Sequence, residues 1–134
     1  MGKSRVEREV NMEFNKEDKT IEINRGSEGT LRIKNTKGSF SIGDKLKFSI
    51  VEVDNYKNVF FQKEYEITEE SEYAHIILEP DDTRFVDVIS EEQTYWYEIE
   101  LNDRIPLIAY DKEKGKKFIL YPEAPNQNEV NNNG

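Results

Sequence analysis

Thr94-Tyr95-Trp96-Tyr97-Glu98-Ile99-Glu100-Leu101 alternates along its whole length. Tyr95, Tyr97, Ile99 and Leu101 share one parity, and Thr94, Trp96, Glu98 and Glu100 share the other. A two-residue period belongs to a pleated strand with one face inward and one outward. A helix would scatter the same apolar residues around its circumference. The stretch therefore predicts a strand with an aromatic and aliphatic inner row. Its outer row is polar except for one large ring, Trp96.

Segments of the same kind lie on either side. Thr20–Asn24, Thr30–Lys34, Lys45–Ile50 and Val59–Ile67 alternate, as do Ala74–Leu78, Ile105–Tyr110 and Lys116–Tyr121. In Lys45-Leu46-Lys47-Phe48-Ser49-Ile50 the apolar residues keep one parity, and Val51 and Val53 then take the other. That switch predicts a bulge or a strand buried on both faces. In the next segment Val59, Phe61, Tyr65 and Ile67 share a face that Lys63 interrupts. Arg25–Gly29, Asn55–Asn58 and Asp111–Gly115 read as connecting loops, the last two as hairpins. Pro80-Asp81-Asp82-Thr83 opens a short helix running to Ile89, with Asp or Thr capping its first turn. Alternation, rather than continuous apolar runs, favours antiparallel sheets. The fold expected is all-β: an antiparallel, Ig-like β-sandwich of about seven to nine strands with one short helix. Residues 1–12 form an N-terminal arm, 13–122 the sandwich, and 123–134 an Asn-rich C-terminal tail.

Composition limits the chemistry. The chain has 134 residues, which suits one domain. It has no cysteine and one histidine, His75, so thiolate zinc, disulfide and multi-histidine sites are excluded. A net charge of −9 argues against nucleic acid and anionic membranes as partners. No apolar run is long enough for a membrane span. The start, Met1-Gly2-Lys3-Ser4-Arg5-Val6, lacks the apolar stretch of a signal peptide. It also carries Val6 where a myristoylation start needs Ser or Thr. Synthesis in a cytoplasm, or assembly there before release, is expected.

Three candidate chemistries arise from the side chains. Glu79, Asp81 and Asp82 could form a hydrolase pair or hold calcium, but capping a helix explains them with fewer assumptions. The same holds for Glu69, Glu70 and Glu72 and for Glu91 and Glu92 as solvated turns. His75, beside Ile76 and Ile77, reads as a half-buried structural histidine. The lysines around Gly115 are interleaved with Asp111 and Glu113 and read as a soluble hairpin tip. No catalytic, metal or cofactor site is assigned. Exposed large rings mark contact surfaces, so Phe60, Trp96 and Tyr56 are the candidate interface, the alternative being that an arm or tail of the same chain covers them. Val6 and Val10, four apart in the arm, join them as a docking turn.

Five stretches carry a resemblance: Asp18–Gly26, Gly43–Phe48, Ile77–Thr83, Tyr95–Leu101 and Gly115–Leu120. In order and character they resemble phage and prophage virion domains of Gram-positive bacteria, similar to the N-terminal domain of the phage baseplate upper protein. All five are fold punctuation rather than catalytic motifs. The resemblance implies a non-enzymatic structural or adaptor component of a tail, baseplate or other virion part. It would bind other virion proteins, as a homo-oligomer in a symmetric assembly, and be located in the virion. The alternative is a carbohydrate-binding module that stacks a cell-surface glycan on Trp96, Phe60 and Tyr56.

Overall fold

The structure, a computed structural model, describes residues 12–108 and 116–124. Nine strands are present among them: β1 (Met12–Phe14), β2 (Ile21–Asn24), β3 (Gly29–Lys34), β4 (Lys45–Glu52), β5 (Asn55–Glu66), β6 (Tyr73–Leu78), β7 (Gln93–Leu101), β8 (Ile105–Ile108) and β9 (Lys116–Tyr121). The chain is mostly β. One sheet runs β1-β2-β9-β7-β4-β5, with β8 on β7, and the other is the pair β3-β6.

β7 is the axis of the large sheet. Its first half pairs with β9 and its second half with β8 along one edge, while β4 takes the other edge. The register sets Tyr97 opposite Ile50, Ile99 opposite Phe48 and Leu101 opposite Leu46. Tyr95 lies opposite Phe118. Cross-strand neighbours on one face stabilise each other, and here each is buried. The small sheet adds Leu31, Ile33, Ala74, Ile76 and Leu78 to the same core cluster. Seven rings run through it in edge or tilted contact, from Tyr97 through Phe48, Phe61, Phe118, Phe85 and Tyr95 to Phe60, with centroids 5.2 to 6.3 Å apart.

Four expectations need correcting. The large sheet is mixed, because β2 and β9 are parallel. The turn after β2 does not close a hairpin; it carries the chain across to the small sheet, where β3 pairs with β6. β2 pairs with β1 on one edge, and β9 takes the other edge in parallel. Similarly, β8 pairs with β7 rather than β9 among the described residues, through a turn in which Asn102 and Asp103 take positive φ. Asp111–Gly115 lies outside the described residues. The hairpin between β4 and β5 turns at Val53-Asp54, with Asp54 at φ 66°, so Asn55–Asn58 is strand. Asp tolerates the left-handed region, and that places the turn. Finally, the helix is a 3-10 turn, Pro80–Arg84, followed by irregular chain in which Phe85, Val86 and Ile89 pack on the core.

The parity switch in β4 has both predicted consequences. Ser49, Ile50 and Val51 are buried in succession, and the β4–β5 register shifts on either side of Val51.

The crossing turn is pinned from three directions. Gly26 N donates to Thr83 Oγ1 at 2.7 Å, and that hydroxyl can donate onward to Pro80 O or Ser27 O at 3.0 and 3.1 Å. Arg25 Nε donates to Val86 O at 2.9 Å. Gly26 has φ 84°, and a Cβ there would lie 2.7 Å from the Glu123 carboxyl carbon. Gly26→Ala should lower stability by about 1–2 kcal/mol from the left-handed backbone alone. Thr83→Val should cost about 1–3 kcal/mol, because the hydroxyl sits in a buried site and the Gly26 amide loses its acceptor. Urea unfolding measures both; midpoints unchanged from wild type would show that the turn does not tie the two sheets.

Candidate interaction surface

The predicted interface residues separate in space. Tyr56 and Phe60 lie on β5 and are 50% and 38% exposed. Trp96 is only 8% exposed, although it lies on the outer parity of β7. Its strand neighbours there are Val51, fully buried, and Lys117. The outer face at this point is therefore covered within the single chain, and Trp96 is not an open ring. Val6 and Val10 lie outside the described residues.

The bulge explains Phe60. Ile50 faces Phe61 and Val51 faces Val59, which leaves Phe60 as the extra residue. Its ring turns inward and meets Tyr95 edge-on at 5.2 Å. Val59, expected inside, is 45% exposed for the same reason. The half of β5 from Asn55 to Phe60 is thus exposed throughout, and only from Phe61 does its burial alternate. Val59 was the residue that parity counting missed; the doubled parity at Ile50-Val51 was the available signal.

Lys63, the apparent interruption, points inward with a purpose. Its ammonium lies 2.7 Å from Asp82 Oδ2 and 5.5 Å from the Tyr65 ring centroid. Tyr65 donates its hydroxyl to Ile77 O at 2.6 Å, which ties β5 of the large sheet to β6 of the small one. Burial, reinforced by the charges of Asp82 and Glu79, pushes the Tyr65 phenol well above its ordinary range, so it stays a donor.

The acidic residues do not converge. Asp82 also accepts from Glu79 N at 2.7 Å, capping the 3-10 turn. Asp81 pairs with Arg84 at 2.8 Å. Glu69, Glu70, Glu72, Glu91 and Glu92 are exposed. Among the described residues no three potential metal ligands gather. His75 is exposed rather than half-buried, on the outer face of the small sheet opposite Arg32.

Two further carboxylates act as struts. Asp44 accepts from Ser41 N at 2.8 Å and Asn102 Nδ2 at 3.1 Å, and the Ser41 amide in particular holds its carboxyl below the ordinary value of 3.8. Glu123 joins Arg84 and Arg25 at 2.9 and 2.7 Å, and the Arg84 guanidinium holds it below the ordinary 4.5. No family model, curated protein or solved structure matches this chain.

For both carboxyls the folded-state pKa is depressed. Their contribution is complete above the unfolded values and is lost as pH falls through the folded ones. The thermal midpoint should therefore decline below about pH 4. Asp44→Asn should have a shallower acid limb than wild type, and superimposable limbs would remove Asp44 from the linkage.

Proposed function

We propose that this chain is a non-enzymatic adaptor that binds other protein subunits, as a structural component of a phage or phage-tail-like particle. The observation that carries the reading is the exposed first half of β5. β5 is a 12-residue edge strand that pairs with β4 alone among the described residues and exposes Tyr56, Val59 and Phe60 within one short run. A long apolar edge is a template for pairing with another chain or for packing under one. Asp44, Lys63, Asp81, Asp82, Arg84 and Glu123 are engaged in capping and ion pairing, which fits a binding role better than an acid–base one. The resemblance to baseplate-type domains supplies the particle context, a virion location and repeated copies. Two sheets sharing one core support an Ig-like sandwich as the finer description of the fold. The glycan-binding alternative has less support with Trp96 buried, because stacking then rests on the rings of Tyr56 and Phe60.

The reading predicts that the chain forms a defined complex with the product of a neighbouring gene or with itself. Val59→Lys, on an exposed side chain, should weaken that complex by on the order of tenfold while the fold persists. Sedimentation velocity of co-expressed pairs measures it. A strict monomer with no complex from any flanking gene product overturns the proposal, as does a complex indifferent to Val59→Lys and Tyr56→Lys together.

A further inference from the structure

A second surface has a different character. A groove of about 640 Å³ runs between the end of β3, the turn joining β1 to β2, and β8. Lys16, Lys19, Arg32, Lys34 and Lys37 line it, and among the described residues that line it there is no carboxylate. In a chain with 28 acidic and 19 basic residues, such segregation is not what a mixed surface yields. Only Lys34 of the five has a carboxylate within ion-pair distance among the described residues, Glu72 at 3.8 Å. The Lys19 ammonium donates to Lys16 O at 3.1 Å. Arg32 lies 4.3 Å over the Tyr73 ring and Lys34 6.0 Å from it, so the ring holds both cations on the same outer face of β3. The opposite wall is apolar, with Leu107 and Ile108 half-buried.

We propose that this groove docks an extended acidic segment of a partner subunit. The inference rests on the adaptor reading and names the partner's chemistry. Arg32 and Lys34 are two residues apart on one strand face, the repeat of any extended chain. A segment with carboxylates at every second position meets both cations, and the residues between them meet the wall of β8. β8 itself pairs with β7 alone among the described residues, which leaves a strand edge along the groove. A polyphosphate or a long anionic glycan fits less well. Either would run past the groove onto a protein carrying net −9, whereas a short peptide ends within it.

Fluorescence anisotropy on the full chain tests this, with a short labelled peptide alternating glutamate and valine as the probe. The peptide should bind and should weaken as added salt shortens the Debye length from about 30 Å to about 8 Å. A glutamine–valine peptide should not bind. Lys16→Glu with Lys37→Glu, both outside the strands, should cut the affinity by about tenfold or more, as should Arg32→Glu with Lys34→Glu. Equal binding by wild type and the Lys16/Lys37 variant overturns the proposal. So does a heparin fragment or an oligothymidylate that binds the groove more tightly than the peptide. Absent peptide binding with subunit association through β5 retained also overturns the groove, and leaves the adaptor reading standing.

Discussion

The inner row of β7 is the constraint on which the structure depends. Tyr95, Tyr97, Ile99 and Leu101 are buried, and each is opposed across the strand by another apolar residue. One slip of register would turn all four toward water. Tyr97 anchors the arrangement in a second way: its hydroxyl donates to the carbonyl of Lys19, just before β2. Burial, with Asp18 nearby, raises that phenol, so the donor is kept. The central strand thus fixes the entry of a strand two places away, beyond β9. Edge-to-face ring pairs contribute about 0.5–1.5 kcal/mol each beyond their area, which favours this one arrangement of the seven rings over loosely packed competitors.

Polar groups do the joining that apolar packing cannot specify. Hydrophobic burial is non-directional and would tolerate several placements of the small sheet on the large one. Thr83 holds the crossing turn, Tyr65 ties β6 to β5, and Asp82 receives both Lys63 and the Glu79 amide. Ser49, buried in β4, accepts from Gln62 Nε2 at 3.0 Å. Among the described residues no buried side-chain polar atom lacks a partner. Each strut links segments distant in sequence or elements that would otherwise slide. Together they restrict the crossing and the sheet edge to one geometry.

The strands were legible because alternation is local, and the partners were not because pairing is global. Thr94–Leu101 and Lys116–Tyr121 could be assigned face by face from the sequence. Nothing in Thr20–Asn24 says that its second partner, beyond the nearby β1, is β9 near the other end of the chain and runs parallel. The doubled parity at Ile50-Val51 signals a bulge but not which side chains it redirects, so counting parity puts Val59 on the wrong face. Parity alone places Trp96 on the outer face and leaves open whether the chain itself covers it. Parity gives a direction, and only the assembled chain shows whether that direction leads to solvent. Lys63 looked like an error in an apolar row because its partner, Asp82, belongs to a different element.

The candidate site teaches the same lesson about charge. A net −9 is a sum, and a sum describes the field only at distances beyond the spacing of its parts. On the groove wall itself Lys16, Lys19, Arg32, Lys34 and Lys37 set the potential, while Glu17 and Asp18 share the turn that carries the first two. Farther out, the surplus of carboxylates prevails. A large polyanion experiences both zones and is repelled at its ends. A short acidic segment experiences mainly the first. The same composition that argues against nucleic acid as a partner therefore selects for a small anionic one, and the selectivity comes from where folding places the cations rather than from their number.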